Sequence, residues 1–183
     1  MIQTDSYIVQ QSKQGNKDAF RTLVMQYQHM VYSLSLKMLC NEEDAKDIVQ
    51  ESFIKIWLNI RNFDESKSFS TWVYTIATRL CLDKLKLRKH IVPLPDDEQA
   101  IRLPDSNSDI HLDVENREWI TLIRAITAEL SPKQRLVFTL CQLEELSSDE
   151  AERITGMNAT QIKSNLYLAR QNVINKLKAL GYE

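Results

Sequence analysis

At 183 residues the chain can hold one medium domain or two small ones, and 43% hydrophobic with 26% charged residues is an ordinary globular balance. Three glycines and four prolines disfavour a turn-rich all-β fold or a glycine-rich phosphate loop and favour long helices, and a net charge of −2 leaves any nucleic-acid site to local segregation of charge. Cys40, Cys81 and Cys141 are odd in number and form no CxxC or Cys/His cluster, which points to reduced thiols in a cytoplasmic protein. No signal peptide precedes Asp5, and no apolar run approaches a membrane span.

In chain order the signals are nearly all helical. Residues 5–14 and 17–39 carry apolar positions at three and four spacing, among them Phe20, Leu23, Val24, Tyr27, Val31 and Leu34. Asn41 with Asp44 reads as a loose N-cap for the stretch DAKDIVQESFIKIW, residues 44–57. On a helix, Ala45, Ile48, Val49, Phe53, Ile56 and Trp57 gather on one side. The opposite side is unusual: Asp47, Gln50, Glu51, Ile54 and Leu58 place two large aliphatics among polar groups on the face that should meet water. Residues 69–89 predict a further helix with a stripe of Val73, Ile76, Ala77, Leu80 and Leu87.

From His90 to Glu115 there are seven acids, one base and three of the four prolines, without a helical stripe, so residues 90–116 read as an acidic linker, extended or disordered when free. Helices are expected again at about residues 117–130, 132–144, 148–155 and 159–180. Three starts carry capping boxes: Ser131 with Gln134 and Pro132 at the first helical position, Ser147 with Glu150, and Asn158 with Gln161. The fold class expected is all-α, with two small helical domains, 1–89 and 117–183, joined by the linker.

Two segments carry functional signals. In SSDEAERITGMNATQIKSNLYLARQNVINKLK, Gly156 allows the left-handed turn of a helix-turn-helix. The second helix buries Ile162, Leu166, Ala169, Val173 and Leu177 and turns Thr160, Gln161, Ser164 and Tyr167 outward, flanked by Lys163 and Arg170. Small polar groups at its N-terminal end suit base edges in a major groove, and four bases without an acid from Ala159 to Lys178 suit phosphates. An ordinary helical hairpin with a solvated face is the alternative. The other segment, residues 79–89, holds Arg79, Lys84, Lys86, Arg88 and Lys89 against one acid, Asp83, and follows Phe63, Phe69, Trp72 and Tyr74. Rings beside cations suit an unpaired strand, although Phe69 and Trp72 each fit a core position better than a stacking platform.

Together these residues resemble the extracytoplasmic-function (ECF) group of RNA polymerase sigma factors. The block from about Phe20 to Lys89 is similar to their first conserved domain, and LSPKQRLVFTLCQLEELSSDEAERITGMNATQIKSNLYLAR to their second. The resemblance implies that Asp47, Gln50, Glu51, Ile54 and Leu58 dock on core RNA polymerase, which would explain the second face. It implies that the loop Asp64 to Ser70 and the helix behind it hold a flipped base of a melted minus-ten element. Ser70, Trp72, Tyr74, Arg79, Lys84, Lys86, Arg88 and Lys89 are the candidate DNA-binding residues there. Thr160, Gln161, Lys163, Ser164, Tyr167 and Arg170 would face the minus-thirty-five element. The linker would run through the active-site cleft and RNA exit path of the polymerase, its carboxylates imitating a nucleic-acid backbone. An anti-sigma protein is a further partner found among relatives.

The chain also departs from the family pattern. Arg79 stands where relatives often have Asn, and Asn165 and Leu168 replace two frequent arginines. The usual IAE of the helix-turn-helix is AER, which puts Glu152 where the helices touch. No enzyme, cofactor or metal is expected: His29, His90 and His111 lack partners at ligand spacing, and no phosphate loop or nucleophile elbow is present. The competing readings are a helix-turn-helix DNA-binding regulator with an N-terminal helical interaction domain, and an adaptor that binds only protein.

Overall fold

The computed structural model describes residues 2–90 and 110–181, with side chains for 6–87 and 118–181, and these residues form helices without any strand. The first four helices make the N-terminal unit: α1 (Ile2–Lys13), α2 (Lys17–Leu39), α3 (Glu42–Asn59) and α4 (Phe69–His90). Asn16 starts α2 by accepting from the Asp18 and Ala19 amides, and Asn41 starts α3 by accepting from Asp44 N, with Glu42, Glu43 and Asp44 set in the positive first turn. Leu23, Tyr27, Val31, Leu34 and Met38 recur at helical spacing along α2, and all are buried. Around this central rod pack α1, α3 and α4. A 3₁₀ turn, Ile60–Asn62, ends α3.

The C-terminal unit holds α5 (Ile110–Thr127), α6 (Pro132–Phe138), a π-helical segment (Thr139–Leu143), α7 (Ser148–Thr155) and α8 (Ala159–Ala179). All three capping boxes form. Gly156 takes φ 72° between α7 and α8, and its amide donates to Glu152 O. At the departure from the family pattern, Ala151 is fully buried and Glu152 is half-buried.

Three expectations change. Residues 91–109, most of the acidic linker, lie outside the described residues, but α5 begins at Ile110 rather than near residue 117. Acids such as Asp113 and Glu115, read as linker composition, equally suit the first turns of a helix. The continuous helix expected over 132–144 gives way to the π segment. Leu87 is 64% exposed although it lies on the same face as Leu80. Burial needs a facing element as well as a face, and at this end of α4 it is Leu82 and Leu85 that pack against the core.

The two units are not separate. α4 lies against α6 and α7, and α2 against α5 and the π segment, so one apolar cluster runs from Leu34 and Leu80 to Leu136, Leu140 and Ile154.

The caps make two outcomes testable. A Cβ at position 156 meets no atom within 4 Å, so Gly156→Ala introduces only the strain of a positive φ. It is expected to lower stability by about 1 kcal/mol in urea unfolding. The Ser147 hydroxyl and amide hold the Glu150 carboxyl below its ordinary range. A depressed carboxylate stabilises the fold above its unfolded pKa and loses that contribution as pH falls through the folded value. NMR titration of Glu150 should therefore show a lowered pKa that returns to the ordinary range in Ser147→Ala.

Candidate functional site

The second face of α3 is open. Ala45, Ile48, Phe53 and Ile56 are buried, whereas Asp47, Gln50 and Glu51 are exposed together with Ile54 (59%) and Leu58 (71%). Ile54 and Leu58 also continue into a shallow groove of about 600 Å³ lined by Lys17, Phe20, Gln50, Phe53 and Trp57. Phe20 and Trp57, with ring centroids 4.8 Å apart and planes tilted by 54°, form its apolar floor. Sequence periodicity had assigned Trp57 to the buried stripe; it sits at the edge of that stripe, half-buried, where helix angle alone cannot separate core from rim. The Asp47 carboxylate is held by Lys84 of α4 at 3.1 Å, and the same ammonium reaches Asp44 at 2.6 Å.

The loop before α4 is locally structured. Asp64 accepts from the Ser66 hydroxyl at 2.7 Å and the Ser66 amide at 3.1 Å, and those donors hold its carboxyl below the usual range. Lys13 clamps the loop from α1, donating to Phe63 O at 3.0 Å and to Glu65 at 2.6 Å. Ser70 is half-buried and its hydroxyl pairs with Ser68 at 2.7 Å. Trp72 is half-buried against Phe63, with centroids 4.9 Å apart, and Phe63, Phe69 and Tyr27 join the same aromatic cluster. Tyr74 is only 9% exposed and donates to Glu144 of the C-terminal unit at 3.1 Å. Burial, then the Glu144 charge, push its phenol far above the ordinary value.

The α4 cations fall into different settings. Arg79 is exposed, Lys86 is exposed beside Asp83 at 3.0 Å, and Lys84 is committed to Asp44 and Asp47. Arg88 and Lys89 lie in α4, but their side chains are outside the described residues. On α8, Ile162, Ala169 and Val173 are buried, with Leu166 and Leu177 half-buried. Thr160, Gln161, Lys163, Ser164, Tyr167 and Arg170 are exposed, Tyr167 by 63%. The opening turns of α8 thus present small polar groups and a cation on a helix whose other side is core, the arrangement of a major-groove reader. Arg170 also donates to Gln142 at 3.2 Å, which ties α8 to the π segment.

Comparison with known proteins agrees with this architecture. Residues 23–91 match the family model for Sigma-70 region 2, and residues 120–173 the model for Sigma-70, region 4. The chain is 31% identical over 179 residues to the ECF RNA polymerase sigma factor SigW of Bacillus subtilis (strain 168), covering 94% of this chain and 96% of that one. It is 32% identical over 185 residues to the ECF RNA polymerase sigma-E factor of Salmonella typhimurium (strain LT2), covering 97% and 96%. Among solved structures, CnrH in complex with the cytosolic domain of CnrY has the same fold, with a TM-score of 0.73, 20% identity, and 96% of this chain and 97% of that chain covered. The chain belongs to the ECF sigma factors of RNA polymerase, non-enzymatic transcription initiation factors that direct promoter recognition. Among the described residues no helix is long and apolar enough to cross a membrane.

The different settings of the cations make a prediction about promoter binding. In holoenzyme reconstituted with this chain, Lys163→Met should reduce the slope of log K against log salt by about 1, as one released phosphate contact requires. Lys84→Met should leave the slope unchanged, because that ammonium already serves two carboxylates of its own chain. The measurement is filter binding of one promoter fragment across a salt series.

Proposed function

We propose that the exposed face of α3, Asp47, Gln50, Glu51, Ile54 and Leu58, with the Phe20 and Trp57 floor beside it, is the surface by which this sigma factor docks on core RNA polymerase. The observation that carries the proposal is the pair of aliphatics standing in water at the rim of an apolar groove and ringed by polar groups. A few apolar anchors within a polar rim are what a specific interface needs, and no requirement of the fold explains them.

In this reading residues 1–89 act as the region 2-like domain for polymerase binding and minus-ten recognition, and residues 90–116 join it to 117–183, the region 4-like domain that reads the minus-thirty-five element. Arg79, Lys86, Arg88 and Lys89 supply phosphate contacts near the melted strand. The Asp64 to Ser70 loop, already shaped by its own hydrogen bonds and by Lys13, frames the pocket for a flipped base. Trp72 forms its wall from within the aromatic cluster, and Tyr74 joins once its tie to Glu144 is released. Thr160, Gln161, Lys163, Ser164, Tyr167 and Arg170 face the duplex upstream. The protein acts in the cytoplasm. Its reading also includes control by an anti-sigma protein, a proposal motivated by structural neighbours described in such complexes, including the sigma factor RpoE with the anti-sigma factor NepR from Bartonella quintana (TM-score 0.64, 21% identity).

The test is co-purification with bacterial core polymerase of the wild type and of a triple variant, Asp47→Arg, Ile54→Glu and Leu58→Glu. All three positions are exposed, so circular dichroism should show the helices intact while binding is lost. Retention of binding by the folded triple variant would move the docking surface elsewhere.

A further inference from the structure

Leu168 stands on the wrong side of α8 for a leucine. It is 46% exposed and joins neither of the two apolar clusters, whereas Leu166 and Leu177 of the same helix pack against them. It follows Ser164 by one turn and Gln161 by two, so it shares the face on which those side chains are assigned to the upstream duplex. A solitary exposed leucine is ordinary on a protein surface, and it calls for explanation here only because of what surrounds it.

The amides around Leu168 are already engaged. Gln161 Oε1 accepts from the Asn158 amide at 3.1 Å, the returning half of the α8 capping box. Asn165 Nδ2 donates to Gln161 O at 2.8 Å, which folds that side chain back along its own helix. A glutamine or asparagine reads adenine by presenting its carbonyl and its amine together to N6 and N7. In each of these two amides one of that pair is held by the helix, so neither is placed for bidentate reading. Arg170 is drawn toward the π segment by its bond to Gln142, and Lys163 projects about 140° around the helix from Leu168. From Ala159 to Lys178 there is no acid to accept from the amine of cytosine. What this stretch of the face offers a base edge is therefore apolar.

The major groove presents one group that answers to an apolar side chain. Thymine carries a C5 methyl there, whereas cytosine, the other pyrimidine, has a hydrogen at that position and an amine beside it. The branched end of a leucine covers such a methyl and leaves no polar group of its own unpaired.

We propose that Leu168 is a specificity-determining residue that selects thymine in the upstream promoter element by covering its C5 methyl. The assignment rests on the reading of α8 as the helix that enters the major groove, and it adds a base preference to that reading. Covering one methyl is worth about fourfold in affinity, so the preference is graded and not absolute.

The experiment uses holoenzyme reconstituted from core polymerase and the full chain, with a promoter fragment selected by that holoenzyme from a pool randomised upstream. Each thymine of the selected upstream element is replaced in turn by deoxyuridine, which removes the C5 methyl and alters no hydrogen-bonding group in the groove. At one position or more, uracil should weaken wild-type binding by about fourfold, and Leu168→Ala holoenzyme should bind the thymine and uracil fragments equally there. Leu168→Arg should move the preference at that position from thymine to guanine, whose O6 and N7 suit a guanidinium. A purely structural role for Leu168 would weaken binding to both fragments alike and leave their ratio unchanged. Equal sensitivity of wild type and Leu168→Ala to uracil at every thymine overturns the proposal, as does a selected element without thymine. If wild-type holoenzyme selects no upstream sequence at all, the major-groove reading of α8 fails and the role of Leu168 falls with it.

Discussion

The structure depends first on the burial of α2 and α4. Each is a helix of more than 20 residues whose apolar stripe is covered from both units. Leu34 and Met38 of α2 and Val73, Ala77 and Cys81 of α4 are fully buried, and truncating such a leucine to alanine costs roughly 2–5 kcal/mol. Because this core is shared, the outer faces of α3 and α8 are relieved of packing duties. They are free to carry side chains that a smaller fold would have had to bury or avoid.

Charge is distributed with the same economy. A net charge of −2 conceals an α8 segment without acids and an acid-rich stretch before α5. Some of the cations on α4 and α8 serve the fold: Lys84 ties α3 to α4, and Lys176 pairs with Glu129 at 3.0 Å. Sorting cations by partner separates those that hold the molecule together from those exposed to solvent, a distinction that the overall charge does not make.

Much of this was legible in the sequence, because helices announce themselves through local chemistry. Capping boxes at Ser131, Ser147 and Asn158 depend on residues three apart, and each formed as read. The outward Ile54 and Leu58 followed from a 100° rotation per residue. What was not legible depends on contacts distant in the chain. Nothing near Glu144 signals that Lys37, 107 residues away, will meet it, or that Tyr74 will be covered. The π segment likewise packs against α2, α6 and α7, contacts that its own composition does not announce. Trp57 was read as core because periodicity gives a direction but not the depth of cover above it.

The central claim is that this chain confers promoter choice on RNA polymerase, and start-site mapping tests it most directly. Core polymerase would be incubated with genomic DNA with and without the purified chain, and the transcript 5′ ends sequenced. The account predicts new starts that appear only with the chain and share two spaced upstream elements, lost with the α3-face variant. An unchanged set of starts, alongside duplex binding by the chain alone, would contradict it.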